Sequence, residues 1–538
     1  MSTDPAMHSR MDEGVSATDL SVFHHLYTSI ADEMGAVLAR TAYSPNIKER
    51  KDFSCALFDE QGRLLAQAAH IPVHLGAMPR SVAAACKAFP RMGPGDVVML
   101  NDPFEGGTHL PDVTLVSPVF AGSDCVGYAA TRAHHADVGG MTPGSLPNSR
   151  TIHQEGLRIP PVRLVRGGEM EEDLMRIFCA NSRNPGERRG DMRAQLHAHH
   201  IGETRWLELG KRVGFGKLRE MNEALMDYAD RRMRAALVQL PHGRWSCEEE
   251  IEDEAGTGVA AVLRGTLTVS ELGVCVDVRG SDDRVPGSLN AVRAITESAV
   301  CYVFLCWMCR DSGGASLPIN GGCFRCIDLQ TRPGSVLDAQ WPAAVAGGNV
   351  ETSQRVVDLV LGLLDQALPG SVPAQSQGTM NNVTLGGILG GRIPGGGFAY
   401  YETLGGGAGG GPGVPGASAL QTHMTNTLNT PVEAIEFAYP LRVRRLEIRH
   451  GSGGAGTFPG GDGLVREWEA LAPMEVTVLT ERRRVGPKGS GGGDAGKPGR
   501  QEIRMASGEI RPLPGKGSGQ LSPGDVLRVE TPGGGGFG

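Results

Sequence analysis

Residues 101–140 read NDPFEGGTHLPDVTLVSPVFAGSDCVGYAATRAHHADVGG, and their pattern decides the fold class. Two runs, DVTLVSPVF (112–120) and VGYAATRA (126–133), flank the turn-forming AGSDC (121–125), which predicts an antiparallel hairpin. Upstream, FSCALFD (53–59) and RLLAQAA (63–69) around EQG predict a second. Further out the period becomes helical. Leu20, Phe23, Tyr27, Ile30, Met34 and Val37 recur at alternating spacings of 3 and 4 behind Thr18, a residue suited to cap a helix. Residues 218–240 read as a helix stopped by Pro241, and further helices are expected around 293–309 and 352–367. Strand and helix blocks do not alternate regularly. The expectation is therefore an α+β architecture of intertwined subdomains, with short antiparallel strands and glycine-rich turns, and no doubly wound nucleotide-binding sheet. Its subregions are an N-terminal helix (15–43), a hairpin region (44–150), a mainly helical region (151–243) and a mixed, glycine-rich remainder (244–538).

Of 538 residues 78 are glycine, crowded into the last third without a Gly-X-Y period, which excludes collagen and points to tight turns between short strands or to backbone approaching a ligand closely. Lys and Arg number 52 against 60 Asp and Glu, so there is no basic field for nucleic acid or an anionic membrane. MSTDPAMHSRMDEG at the start lacks the cationic and apolar parts of a leader. AVCYVFLCWMC (299–309) is shorter than the roughly 20 residues of a membrane span. Eleven cysteines without an export signal are expected as reduced thiols, in a cytoplasmic setting.

In the opening stretch His109-x2-Asp112 is followed by His134, His135 and Asp137. If the two strands pair through 121–125, residues whose numbers sum to about 246 face each other, with Cβ atoms roughly 4.5–5.5 Å apart. Asp112 then opposes His134, and His109 falls near Asp137. Imidazole with carboxylate suits Zn, Mn or Fe(II); the same residues also serve as ordinary hydrogen-bonded partners. Asp52 is a further carboxylate or an ion pair with Arg50 or Lys51, and His74 and His423 are single histidines in turn-rich surroundings. Other patterns carry less. Cys306-x2-Cys309 and Cys323-x2-Cys326 imitate a zinc site, but the first pair lies in an apolar helix. GGGDAGK (491–497) lacks the Ser or Thr of a P-loop, Pro498 standing there. HAHH (197–200) suits a solvated helix face.

The chain resembles the hydantoinase B/oxoprolinase family nearly end to end, through SPNIKERKDFSCALFD (44–59), HIPVHLGAMP (70–79), NDPFEGGTHLPDVTLVSPVF (101–120) and RAHHADVGG (132–140). AGGNVETSQRVVD (346–358), GTMNNVTLGG (378–387), YYETLGGGAG (400–409), THMTNTLNTPVE (422–433) and TPGGGGFG (531–538) continue it. The resemblance implies the B component of an ATP-dependent cyclic-amide hydrolase, with ATP bound on a separate hydantoinase A-type ATPase subunit that phosphorylates the amide oxygen. It implies a divalent metal (Zn, Mn or Fe) at His109, Asp112 and His134, with Asp52 and His423 as weaker additions. Separately, because imidazole titrates near working pH, His74 or His135 is expected to pass protons to the departing nitrogen. The substrate would be a hydantoin, 5-oxoproline or similar lactam; the alternative is the metal-bearing subunit of an ATP-dependent ketone carboxylase. A scaffold that only organises a partner enzyme is the third reading. The segment 411–424 looks shortened, and Pro459 stands where the family has Arg, so the substrate wall differs.

Overall fold

The computed structural model describes residues 15–68, 71–310, 317–388 and 396–538. The reading of residues 1–14 lies outside them. The first helix, α1 (Ala17–Thr41), is capped by Ser16 rather than Thr18. Ser16 accepts from the Asp19 N–H while Asp19 answers its backbone, and Thr18 has no acid three residues on to close such a box. A short α2 (Pro45–Lys48) leads into β1 (Phe53–Phe58) and β2 (Leu64–Ala68), the upstream hairpin. Then come α3 (Ala77–Ala88), β3 (Val97–Leu100), β4 (Asp112–Ala121), β5 (Asp124–His134), β6 (Val162–Arg166) and β7 (Glu169–Met170).

These seven strands form one antiparallel sheet in the order β2-β1-β5-β4-β3-β6-β7. Strand alternation sorts its faces. Cys55, Leu57, Ala129 and Ala133 meet Tyr27, Met34 and Trp206, the last on α5 (Pro185–Val213). Ala56, Phe58, Val116 and Ala130 meet Met78, Val82 and Ala85 of α3 on the other face. The central hairpin keeps the expected register from Asp112↔His134 to Val119↔Gly127, then slips by one at a bulge. Its turn is shorter than expected, residues 122–123, with Gly122 at φ 67°.

The helical region comprises α4 (Glu172–Ala180), α5 and α6 (Phe215–Leu237). A second sheet follows, β8 (Gly243–Glu252), β9 (Val259–Ser270), β10 (Gly273–Asp277) and β11 (Ile327–Gln330), covered by α7 (Arg293–Cys309) and α8 (Ser353–Ala367). A π-turn, Gly348–Thr352, precedes α8. The third sheet, β13-β12-β16-β19, contains β12 (Asn382–Ile388), β13 (Gly397–Glu402), β16 (Met474–Leu479) and β19 (Lys516–Leu521). A short α9 (Val432–Ala438) precedes the fourth sheet, which orders β14 (Leu441–Arg449), β15 (Gly463–Ala470), β20 (Val526–Glu530), β17 (Arg500–Arg504) and β18 (Ile510–Pro512). Among the described residues no helix is long and apolar enough to cross a membrane.

Few of the crowded glycines serve turns. The extended tail 532–538 is laced to segments near 408, 455, 461 and 494: Gly410 N–H donates to Gly535 O (2.8 Å), Gly454 N–H to Gly534 O (2.9 Å), Gly534 N–H to Gly461 O (2.9 Å) and Gly536 N–H to Asp494 O (2.8 Å). The backbones lie so close that a Cβ on Gly534 would stand 2.0 Å from Ala408 O, and one on Gly461 would stand 1.9 Å from Ala417 O. In this weave the glycines let backbone meet backbone.

Candidate functional site

Asp112 opens β4 and His134 closes β5, and facing residues of a ladder share a face, so both point to the α3 side. Ser54 on β1 points the same way, since it pairs with Arg132. The 3-10 turn Pro72–His74, just before α3, lays His74 over it, with His74 Nδ1 and Ser54 Oγ 2.9 Å apart. The loop entering β4 adds His109 and Thr108. Asp112 Oδ2 therefore lies 3.6 Å from His74 Nε2 and 3.3 Å from His109 Nε2, and accepts from Thr108 Oγ1 at 2.7 Å. The His109 and His134 ring centroids are 5.1 Å apart.

All four side chains are buried. Burial would raise the Asp112 carboxyl, but His109 and His74 outweigh it and hold Asp112 well below the usual range. Burial lowers His74 and, with His109 beside it, lowers His134 strongly, so these imidazoles are neutral at pH 7. His134 Nε2 and both ring nitrogens of His109 are buried without a hydrogen-bond partner. The donor set, three imidazoles around an ionised carboxylate, is the kind that holds Zn, Mn or Fe(II). As they stand the rings close on Asp112 itself, and among the described residues no group of three His, Cys, Asp or Glu is spaced to hold an ion. The residues match an ion in kind, and the cluster would have to open to admit one.

Asp52 belongs to the wall behind His134. Its backbone O accepts from the His134 N–H (3.0 Å), and its carboxylate lies 3.6 Å from Arg50, the ion pair weighed above. Burial pushes Asp52 up to about 6, with Arg50 opposing and Asp112 adding to the rise. Asn46 Nδ2 donates to His134 O at 2.6 Å and lies 3.2 Å from its Nδ1. Arg50 donates to Asn46 Oδ1, and Tyr401 of β13 stacks on His134 with centroids 4.6 Å apart and planes 13° apart.

The other predicted residues lie elsewhere. His135 points to the opposite face, where its Nε2 is 3.0 Å from Gln195 Oε1 and its ring meets Phe178 edge-on. His423, at φ 59°, turns its ring to Tyr302 of α7 and feels the charges of Asp358 and Arg355. The strand ends at His134, and Asp137 accepts from the N–H groups of Gly139, Gly144 and Arg183 and from Arg183 Nη1. In the 197–200 run His197 and His200 are exposed as expected, but His199 is buried between Ser117 Oγ (2.6 Å) and Thr131 Oγ1 (3.0 Å).

Sequence reasoning missed Ser54, Asn46, Tyr401 and Glu155, and gave Arg50 only as a partner of Asp52. Asn46 and Arg50 stand four residues apart, a spacing that could have flagged them. Tyr401 carried no local signal. Glu155 Oε1 accepts from Ser149 Oγ (2.6 Å) and the N–H groups of Val345 and Ala346 (2.9 and 3.0 Å), and burial pushes it up to about 7.

Known proteins share this fold and much of this sequence. The chain is 31% identical over 525 residues to a provisionally named D-/L-hydantoinase B-type subunit of Pseudomonas sp. (strain NS671), covering 95% of this chain and 88% of that protein. It is 38% identical over 561 residues to 5-oxoprolinase 1 of Arabidopsis thaliana; 99% of this chain is covered, yet it spans only 43% of that longer protein. The crystal structure of an ATP-dependent caprolactamase from Pseudomonas jessenii superposes with a TM-score of 0.88 at 27% identity, over 98% of this chain and 91% of that one. An acetone carboxylase shares the fold alone, with a TM-score of 0.85 at 16% identity over 96% and 75% of the two chains. The family description Hydantoinase B/oxoprolinase matches residues 16–538, and the chain belongs to that family.

Proposed function

We propose that this chain is the B-type component of an ATP-dependent cyclic-amide hydrolase, acting on a hydantoin, 5-oxoproline or similar lactam with a hydantoinase A-type ATPase partner. The observation that carries the reading is likeness over nearly the whole of two comparable chains, the hydantoinase B-type subunit and the caprolactamase. The buried cluster of His74, His109, Asp112 and His134 supports it as the place where hydrolysis finishes.

Amide resonance makes the ring carbonyl a poor electrophile. Once the partner has moved a phosphoryl group from ATP to the amide oxygen, water adds to the imidate carbon, the C–N bond opens as nitrogen takes a proton, and a second water splits the resulting acyl phosphate into carboxylate and phosphate. His109, Asp112 and His134 would hold a divalent ion, with Asp52 and His423 as outlying candidates. Such an ion, when bound, supplies Lewis acidity and lowers the pKa of a water. Asp112, kept ionised by its neighbours, orients His109 and His74. His74, anchored at Nδ1 by Ser54, carries Nε2 into the cluster and is the group placed to pass a proton to the departing nitrogen. His135, turned to α5, is not so placed.

The test is metal content by plasma mass spectrometry on the purified chain and on His134→Ala, followed by turnover with the partner, ATP and lactam. Stoichiometric metal lost in the variant, with lactam opened in water alone, is the expected result. Full turnover by His134→Ala would sink the metal-site mechanism, and consumption of bicarbonate would move the chain to the ketone-carboxylase alternative.

A further inference from the structure

The wall behind His134 is tied to a residue far from the cluster. Tyr401 presents its ring to His134, and its hydroxyl donates to Asn382 Oδ1 at 2.9 Å. Asn382 Nδ2 donates to Glu351 Oε1 at 2.7 Å and to Leu479 O at 2.8 Å. Both amide hydrogens are thereby committed to acceptors, so Oδ1 must face Tyr401. Glu351 is fully buried in the π-turn before α8, and its Oε1 also accepts from the Met380 N–H (3.0 Å). Irregular turns of this kind recur at functional sites, and nothing in the proposed chemistry uses this carboxyl.

We infer that Glu351 is a positioning residue for the His cluster: by orienting Asn382 it anchors the Tyr401 hydroxyl, and so fixes the ring against which His134 packs. The chain Glu351–Asn382–Tyr401–His134 joins α8 and the third sheet to the first sheet. Burial pushes the Glu351 carboxyl up to about 8, so it is largely protonated at neutral pH, and Glu351→Gln keeps both its shape and its accepting Oε1. The effect on metal affinity rests on the metal-site reading above; the position of the ring does not.

The experiment is a cobalt(II) titration of the full chain, read by visible absorption, with crystal structures of the wild type and Glu351→Ala. Glu351→Ala and Tyr401→Phe are each expected to weaken cobalt binding by about tenfold, as loss of an outer-shell partner does. Glu351→Gln should stay close to wild type, and the double variant Glu351→Ala/Tyr401→Phe should bind no more weakly than either single one. Additive losses, or unchanged affinity in Glu351→Ala, would overturn the inference. If the wild type binds no cobalt, the metal reading falls, and the crystal structures decide the rest. A Tyr401 ring displaced from His134 in Glu351→Ala supports the positioning role, and an unmoved ring ends it. Should Glu351→Ala fail to fold, Glu351→Asp, which withdraws the oxygen by one methylene, takes its place in the same cycle.

Discussion

In the β4–β5 hairpin the backbone spends its hydrogen bonds on its own ladder, and the side chains at its end are left with ring nitrogens that nothing satisfies. Around residues 532–538 the reverse holds: backbone groups bond to other backbone across irregular extended segments, and side chains are missing because there is no room for them. Buried polar groups must find partners in either case. The hairpin shows that a regular ladder frees side chains for chemistry, and the glycine weave shows that irregular backbone can be buried only where Cβ atoms are removed. A substitution at the end of the hairpin should therefore damage activity more than fold, and one in the weave should do the opposite.

The largest expected effect is in the hairpin. His109→Ala should lower the turnover of the complex by roughly 10²–10⁴-fold, the range for losing a group that handles the reacting proton or water, while the unfolding midpoint stays near that of the wild type. Steady-state assay with saturating partner and ATP checks this. Retained turnover would reduce the cluster to packing.

In the weave, Gly534→Ala drives a methyl group to 2.0 Å from Ala408 O. Overpacking of this kind costs about 1–3 kcal/mol, occasionally more. A lower midpoint in urea or heat, with unchanged turnover per folded molecule, is the expected outcome; an unmoved midpoint would show that the segments separate freely.

A third test contrasts the unsatisfied imidazoles at the hairpin's end with His199, an imidazole of α5 buried against the hairpin between Ser117 and Thr131. Burial pushes His199 down from 6.5 to about 3. Below pH 6.5 the unfolded chain takes up a proton there and the folded chain does not, so folded stability falls with pH across that window, by about 1 kcal/mol per pH unit. His199→Gln should remove that share, about 1 kcal/mol per pH unit, from the dependence between pH 6.5 and 5, while the buried His74 and His134 keep theirs, without touching turnover at pH 7. Urea midpoints at several pH values measure it.

The smallest effect comes from a glycine of the other sort. Gly216 is exposed in α6, and a Cβ there would meet nothing within 4 Å. Gly216→Ala should stabilise the chain by a few tenths to about 1 kcal/mol. A loss instead would mean that glycine is needed outside the weave as well.

Much of the hairpin is legible in the amino-acid sequence. Alternation at period two defines which residues share a face, so the opposition of Asp112 and His134 follows from counting. The count loses its footing at Asp137, because it assumes strand and β5 ends at His134. The helix start slips from Thr18 to Ser16 because a cap is decided by the acid three residues on. The glycines suggest turns, since local sequence records that a side chain is absent but not what occupies its place.

By itself the sequence determined the α+β class, the register of the central hairpin and the family, because each depends on residues near one another or on ordered motifs along the chain. The tertiary structure alone decided that His74 reaches Asp112 from a turn before α3, that Ser54 anchors it, and that Tyr401 arrives from β13 to cover His134. It also decided that His135 and His423 face other neighbours. Those outcomes depend on how separate sheets and helices pack, and no spacing within one segment encodes the distance between two that meet only after folding.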